Sequence, residues 1–298
     1  MESQQYLESI LKAQDLDDNS QELNDLQTHR KDVERLLREG FPNSSPTIRY
    51  GGSRAKTTLI RESYDLDIIC YFPCDDTGAG TTLKEIFENT SKKLAENYYV
   101  DPKTSALRLK DKQYKLDFHI DVVPGRYVDA SKSDCFIYQN GADKDRLKTN
   151  LDVHINHVKN SGVVPAIRLL KLWKTRRGLQ LKHFVFELLI IKLLKVKKNS
   201  SLETQLKHVW TSLKDAQEPI SIEDPANPTG NDLSELIQSA WVQFSDRSRA
   251  TLTLLEQSGW EAIFGPLEDE KNDAGKTHQF VRAAATVSSP TRPWLPKK

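Results

Sequence analysis

The chain has 298 residues, of which 37% are hydrophobic and 29% charged, and its formal net charge is +1. This length is sufficient for two lobes around a cleft, and the near-neutral charge argues against a long nucleic acid as ligand. Three cysteines, an odd number without metal-binding spacing, and no recognisable signal peptide predict reduced thiols in a cytoplasmic protein. The most apolar stretch, at 184–196, carries charges and is too short to cross a membrane.

The first half of the chain alternates helical and strand patterns, and the second half is almost wholly helical. Before residue 145, the predicted elements are a helix capped by Asn19 or Ser20 and running to about Arg38, a strand at 47–50, a strand at 65–72, a helix from Thr81 or Thr82, and strands between 101 and 123 with a turn near Lys110 and Asp111. After it, helices are predicted near 145–160, 163–177, 182–196, 201–216 and 231–257. We therefore expect an α+β fold, with a core at 1–144, a helical lobe at 145–282 and a mobile tail at 283–298.

A glycine pair directly follows the first predicted strand. Gly51 and Gly52 permit positive φ angles and a close approach of the backbone to a ligand. The next residues are expected to form a helical turn whose unpaired amide groups, together with the Ser53 hydroxyl and Lys56, face an anion such as a triphosphate. A Gly-Ser pair alone is usually only a turn, so this assignment depends on the acidic residues that follow.

Two aspartates emerge on one face of the next predicted strand. Alternation buries Leu66 and its neighbours on one side and leaves Asp65 and Asp67 together on the other. Adjacent carboxylates repel each other unless a cation lies between them, and oxygen ligands beside a phosphate site favour Mg²⁺, with Mn²⁺ as a substitute. A second alternating strand supplies a third acid, Asp117 or Asp121, for a site with two ions. Spacing alone does not choose between them.

The segment from Ser53 to Asp67, together with the run at 121–124, resembles the polymerase-β-type nucleotidyltransferases. It is most similar to the group of cyclic GMP-AMP synthase, the 2′-5′-oligoadenylate synthetases and their bacterial relatives, the CD-NTases. Two later stretches, 166–173 and 224–231, resemble a basic helix and a Pro- and Asn-rich loop of that group, although such a loop also reads as an architectural brace.

The resemblance covers roughly residues 20–270 and implies several site residues. It selects Asp121, because the family's third acid precedes a short apolar run that ends in proline. It implies a mixed-sheet core, a helical lobe, an active site in the cleft between them, and an N-terminal helix that spans both lobes. It also implies that Arg168 and Lys171 contact the donor triphosphate, and the alternative is that they lie on a solvated helix face. Lys174, Arg176 and Arg177 are expected on the surface.

Two residues depart from or extend this pattern. His183 stands where many family members carry a serine that touches the triphosphate. Phe184 is the expected aromatic platform for the donor base, with core packing as the alternative. Both are therefore candidate nucleotide-binding residues.

The expected activity is metal-dependent joining of ATP or other NTPs with release of pyrophosphate. By resemblance, the product is a cyclic di- or trinucleotide signal, in bacteria typically for phage defence, made by a monomer that a regulatory protein can engage. Alternatives are a linear oligonucleotide product, nucleotidyl transfer to tRNA, a protein or a small molecule, and a non-catalytic nucleotide-binding scaffold. Three retained aspartates argue against the scaffold, and the near-neutral charge argues against tRNA.

Overall fold

A computed structural model describes residues 2–16, 20–112 and 119–267, and within them the chain forms one seven-stranded mixed sheet and a cluster of helices. The strands are β1 Thr47–Tyr50, β2 Leu66–Phe72, β3 Tyr98–Pro102, β4 Leu107–Asp111, β5 Ile120–Tyr127, β6 Cys135–Tyr138 and β7 Arg146–Thr149. The helices are α1 Ser3–Ala13, α2 Gln21–Gly40, α3 Gly52–Ala55, α4 Leu83–Leu94, α5 Leu151–Lys159, α6 Val164–Arg176, α7 His183–Leu193, α8 Leu202–Asp215, α9 Ser234–Ser258 and α10 Glu261–Phe264. The predicted α+β class is confirmed.

The sheet is built around one parallel pair of strands. Its order is β1-β2-β5-β4-β3, with β6 added beside β5 and β7 beside β6, and every pairing other than β2 with β5 is antiparallel. Alternation places Leu66, Ile68, Cys70 and Phe72 of β2 in a core beneath α2 and α4. The opposite face of β2 is therefore left for Asp67 and its neighbours.

A second core holds the helices from α6 onward. Its largest members include Trp173, Trp210 and Phe244, which pack ring against ring in the centre. Helix α7 is apolar on most sides, as its sequence predicts, and is correspondingly buried. The helical part of the chain thus has a core of its own, separate from that of the sheet.

Two helices, rather than the single spanning helix that the resemblance implies, contact the two cores. The buried side chains of α2, capped by Ser20 as predicted, all lie in the sheet core, whereas Tyr6, Leu7 and Ile10 of α1 lie in the helical core. Helix α1 ends near Gln14, whose carbonyl oxygen accepts a hydrogen bond from the amide of Arg61. The domain boundary at residue 145 stays a prediction, and α1 packs on the far side of it.

Several local predictions require correction. Residues 146–149 form β7, and the helix predicted from residue 145 begins at Leu151, because the side chain of Asn150 caps it. Lys110 and Asp111 lie within β4 rather than in a turn. Asp117 and the tail at 283–298 lie outside the described residues. Among the helices that are described, none is long and apolar enough to span a bilayer.

Lys174 is also different from expectation, because it is buried rather than on the surface. Its side chain lies on α6 with only 6% exposure, and burial lowers its pKa to about 8. Arg176 is exposed, as predicted, and its guanidinium forms an ion pair with Glu62. The pattern of three basic residues in four did not distinguish Lys174 from a residue on a solvated helix face.

Replacing Lys174 with methionine is expected to stabilise the protein by about 1–3 kcal/mol at pH 7, because the folded state no longer holds a desolvated ammonium group. The folded pKa of about 8 lies below the unfolded value, so wild-type stability rises as pH increases from 8 towards 10.5. The advantage of the variant should shrink over that range. Thermal unfolding of both proteins between pH 7 and 10 measures it, and an advantage that grew with pH would contradict the assignment.

Candidate functional site

The three predicted aspartates lie on one face of the sheet. Asp67 of β2 and Asp121 of β5 are register partners, and adjacent strands lie about 4.8 Å apart. Asp65 immediately precedes β2, and its Oδ1 accepts a hydrogen bond of 3.3 Å from the amide of His119, which precedes β5. The two parallel strands therefore bring together carboxylates that are more than fifty residues apart in the chain.

Burial and neighbouring negative charge perturb two of these carboxylates, those of Asp65 and Asp67. Desolvation and the neighbouring charges of Asp65 and Asp121 raise the pKa of Asp67 to about 7, despite opposing effects of Lys56 and Lys171. The pKa of Asp65 is also raised, chiefly by burial. A cluster of acids that raise one another's pKa in a buried setting favours a bound cation.

Gly52 is required at its position by the carboxylate of Asp67. Its φ is +64°, and a Cβ atom built there would lie 1.6 Å from Oδ2 of Asp67. The predicted helical turn α3 begins at Gly52, and the amide of Gly51 donates to the carbonyl oxygen of Asp67. The glycine pair thus seats the turn, and with it Ser53, directly against the acidic strand.

Gly52→Ala is expected to displace the Asp67 carboxylate and reduce activity at this site by about 100-fold or more, since a shift of about 1 Å has that effect on aligned groups. Gly178 is a matched control because it has the same φ of +64° with nothing within 4 Å of an added Cβ. Gly178→Ala should cost only the left-handed backbone penalty, about 1 kcal/mol. Equal thermal stability and equal activity of the two variants would argue against the close packing of Gly52 on Asp67.

Asp121 differs from the other two aspartates because it is paired with an arginine. Nε and Nη2 of Arg108, on β4, donate to Oδ1 and Oδ2 of Asp121 at 2.9 and 2.8 Å. The two residues are register partners, so Asp67, Asp121 and Arg108 form a row across three adjacent strands. Sequence reasoning missed Arg108, although its place between Leu107 and Leu109 in an alternating strand puts it on the face that carries the aspartates.

The donor chemistry of this site fits a hard divalent cation. Carboxylate oxygens are the ligands that Mg²⁺ and Mn²⁺ prefer, and a cation would relieve the raised pKa of Asp67. Within the described ranges, however, no three His, Cys, Asp or Glu side chains are gathered as a metal-binding group. Asp65 and Asp67 are the residues that would hold a first cation.

Lys56 and Lys171 converge on a buried glutamate rather than on open solvent. Glu187 of α7 has no exposed surface, and Nζ of Lys56 donates to its Oε2 at 2.5 Å. Lys171, 1% exposed, donates to the carbonyl oxygen of Thr58 at 2.8 Å and lies 3.7 Å from Oε1 of Glu187. Burial lowers the pKa of Lys171 to about 8. The three charged groups join the segment after α3 to the helical lobe.

Arg168 binds partners other than the three aspartates. Its guanidinium pairs with Asp15 at 2.7 Å and donates to the carbonyl oxygens of Leu59 and Leu11. These contacts tie α6 to α1 and to the segment between α3 and β2. Arg168 and Lys171 thus share a helix face, as their spacing indicates, but the arginine has structural partners.

His183 and Phe184 lie at the start of α7, near the same lysines. Nε2 of His183 is 3.3 Å from Oγ of Ser63, and burial together with three lysines lowers its pKa to about 2, so the imidazole is neutral. The ring of Phe184 is half-buried, 4.5 Å from the ring of His154 and 5.0 Å from Nζ of Lys56. A role of either residue in nucleotide binding stays a prediction.

The loop at 224–231 is the brace that its composition indicates. Asp224 is 2% exposed and binds Nε2 of His154 at 2.6 Å, Nδ2 of Asn231 at 2.8 Å and the amide of Ala226 at 2.8 Å. The loop thereby holds α5 and its own ends in place. It also supports His154 against Phe184, a contact that sequence reasoning did not foresee.

These features define the fold class before any particular relative is considered. A mixed sheet with three aspartates on one face, a glycine turn packed against them and an adjoining helical lobe is the polymerase-β-like fold that the resemblance implies. The fold prediction is confirmed by solved structures.

Three solved bacterial CD-NTases illustrate the likeness. CdnC of Escherichia coli MS115-1, solved with ATP and also in a complex with a HORMA protein, matches with a TM-score of 0.66 and 18% identity over 90% of this chain and 98–99% of its own. Bradyrhizobium diazoefficiens CdnG, solved with GTP, has a TM-score of 0.65 and 13% identity over 94% of this chain and 97% of its own. Vibrio cholerae DncV, a cyclic AMP-GMP synthase solved with a linear intermediate, has a TM-score of 0.61 and 16% identity over 78% of this chain and 72% of its own.

The chain therefore has the CD-NTase fold. No protein-family model and no curated protein matches the sequence. At identities of 13–18% the likeness establishes the fold, and the activity is a matter for proposal.

Proposed function

We propose that this protein is a nucleotidyltransferase that joins NTPs into a cyclic di- or trinucleotide and releases pyrophosphate. The observation that carries the proposal is the register of β2 and β5, which sets Asp67 beside Asp121, with Asp65 immediately before β2. The turn at Gly52 packs against the same carboxylates. This combination supports catalysis more than a scaffold, because burial and two neighbouring acids raise the pKa of Asp67, and a bound cation would offset that unfavourable setting of its charged form.

The proposed roles follow from position. Asp65 and Asp67 would hold a divalent cation with the donor triphosphate, and Asp121 would join them in holding a second. Such cations neutralise phosphate charge and lower the pKa of an acceptor ribose hydroxyl. Ser53 lies at the turn beside Asp67, where its hydroxyl can bind a phosphate oxygen. Lys171 supplies a buried positive charge near Asp67.

The proposal also covers the substrates, a regulatory partner and the biological role. CdnC was solved with ATP, CdnG with GTP and DncV with the linear intermediate pppA(3′,5′)pG, which supports NTPs as substrates and stepwise joining here. The complex of CdnC with a HORMA protein supports a regulatory protein partner. We further propose that the product is a cytoplasmic signal in bacterial anti-phage defence.

The test is a product assay with labelled ATP, GTP, CTP and UTP, singly and mixed, in the presence of Mg²⁺ or Mn²⁺. A phosphatase-resistant product that forms with the wild type is expected, and treatment with a 3′ exonuclease distinguishes a cyclic from a linear product. The variant with Asp65→Asn and Asp67→Asn should form none. The Asp152→Asn variant, which changes an exposed acid of α5, is the matched control and should behave as wild type.

Two outcomes would count against the proposal. Absence of any labelled product with all four NTPs, both metals and candidate regulators present would leave the fold without this activity. Undiminished product from the double aspartate variant would place the chemistry elsewhere.

A further inference from the structure

Arg108 occupies the position at which a cation would meet Asp121. Its guanidinium donates two hydrogen bonds to that carboxylate, one to each oxygen, at 2.9 and 2.8 Å. The side chains are 29% and 17% exposed, so the pair is only partly screened by water. Each oxygen that a metal ion would use at Asp121 is therefore already bound to a positive group.

The surrounding acids show how unequal the three aspartates are. Asp65 accepts a hydrogen bond from the backbone amide of His119, and the carboxylate of Asp67 lies against the turn at Gly52. Of the three, Asp121 is the one that shares both oxygens with an arginine among the residues described. Two carboxylates are thus ready for a cation, and the third is neutralised internally.

A second carboxylate, that of Asp101, lies on the other side of Arg108 from Asp121. Arg108 is the register partner of Asp101 on β3 as well as of Asp121 on β5, so it lies between two acids on the same row of the sheet. Asp101 is held at present by Nζ of Lys103 at 2.5 Å, in a more exposed position. Rotation of Arg108 away from Asp121 would therefore leave the arginine near negative charge rather than without a partner.

We infer that Arg108 is a positioning residue that competes with the second cation for Asp121, so that the nucleotide-free protein binds one divalent ion at Asp65 and Asp67 and completes its site only when the guanidinium is displaced. This inference rests on the proposed function. The displacement would link assembly of the site to the arrival of the metal-bound nucleotide. Before the nucleotide binds, the pair with Arg108 would keep the carboxylate of Asp121 aligned.

The experiment measures Mn²⁺ binding without nucleotide, from the electron paramagnetic resonance signal of free Mn²⁺. Wild type is expected to bind one ion, with the loss of that ion in the variant carrying Asp65→Asn and Asp67→Asn. Arg108→Met should bind a second ion, or bind Mn²⁺ at least about tenfold more tightly, because a carboxylate is freed and a positive charge removed. Asp121→Asn in an otherwise wild-type protein should leave one bound ion, and combined with Arg108→Met it should remove the gain.

Arg49→Met is the matched control for loss of charge. Arg49 forms a similar two-pronged pair with Asp152, at 2.8 and 2.5 Å, and its removal changes the net charge equally. It should leave Mn²⁺ binding as in wild type. Thermal unfolding establishes that each variant is folded. Arg108→Lys keeps the charge but lacks the planar fork, so it should give a smaller gain in Mn²⁺ binding. If Arg108→Met does not fold, Arg108→Lys is the variant that tests the inference.

The outcomes separate this inference from the proposed function. Unchanged Mn²⁺ binding in Arg108→Met, or in Arg108→Lys if the former is unfolded, would overturn the inference while the ion at Asp65 and Asp67 still supports the proposed function. An equal gain in Arg49→Met would also overturn it, because the effect would then be general electrostatics. Wild type that binds no Mn²⁺ dependent on Asp65 and Asp67 would overturn both.

Discussion

Asp67→Asn is expected to reduce nucleotide joining by at least about 1,000-fold, because a metal-binding carboxylate acts chiefly on the transition state. The same substitution is expected to make the nucleotide-free protein more stable. In the folded protein, burial and the charges of Asp65 and Asp121 raise its pKa to about 7, from an ordinary value of 3.8. Near pH 8 the folded state therefore holds an unfavourable charge that asparagine lacks. The expected gain in free energy of unfolding at pH 8 is about 1–3 kcal/mol.

The stability advantage of Asp67→Asn is expected to increase with pH. Below about pH 4 the carboxyl is neutral in both states, and the variant should gain little. Between pH 4 and 7 the unfolded state loses its proton first, so wild-type stability falls as pH rises and the advantage of Asp67→Asn grows. Thermal unfolding in the presence of a chelator from pH 4 to 8, alongside pyrophosphate release at pH 7.5, measures both effects.

Asp152→Asn provides the contrast. Asp152 is exposed and its pKa is lowered by Arg49, so its removal should not stabilise the protein at any pH above 4 and should leave the rate unchanged. A variant at Asp67 that was less stable than wild type at pH 8 would show that the carboxylate is structural rather than held at a cost for catalysis.

Glu187→Gln is expected to lower the free energy of unfolding by about 3–5 kcal/mol and the melting temperature by about 10 °C, because it leaves buried lysines without a counter-charge. Glu187 has no exposed surface and lies between Lys56 and Lys171, which are 7% and 1% exposed. It also accepts a hydrogen bond of 2.5 Å from Thr58. Thermal and denaturant unfolding at pH 7 measure the loss.

Two variants make this prediction specific. Glu203→Gln breaks an exposed pair with Lys207 on α8, of similar length at 2.6 Å, and should change stability by no more than about 0.5 kcal/mol. Adding Lys56→Met to Glu187→Gln removes one of the stranded charges and should restore part of the loss. If Glu187→Gln were as mild as Glu203→Gln, or if the added substitution worsened the loss, the buried ion cluster would not have the role assigned to it.

The same cluster explains how the two cores are held together. Lys56 and Thr58 lie in the segment between α3 and β2, whereas Glu187 and Lys171 lie on α7 and α6. The neighbouring Ile60 is buried in the helical core. The segment that carries the glycine turn is thus anchored to the helical lobe immediately before the strand that carries Asp67. Loss of Glu187 should therefore affect the site as well as stability.

Local sequence patterns predict the strand faces, the glycine turn, and Asp65 and Asp67, and they leave Asp117 and Asp121 as alternatives for the third acid. Alternation fixes which side chains of β2 and β5 share a face, and only glycine is compatible with the approach of Asp67 to residue 52. These are local consequences of backbone geometry, so a pattern within a few residues is enough to predict them. The choice of Asp121 over Asp117 came from resemblance, and Asp117 lies outside the described residues.

The partners of the charged residues become apparent only in the folded protein. Arg108 pairs with Asp121, Arg168 with Asp15 and Lys56 with Glu187, across separations of 13, 153 and 131 residues. A charged residue in an alternating or helical pattern looks the same whether it faces water or a distant opposite charge. Its role depends on which other charge the packing of sheet and helices brings within a few ångströms, because electrostatic energy in a buried site is set by that distance and by the exclusion of water.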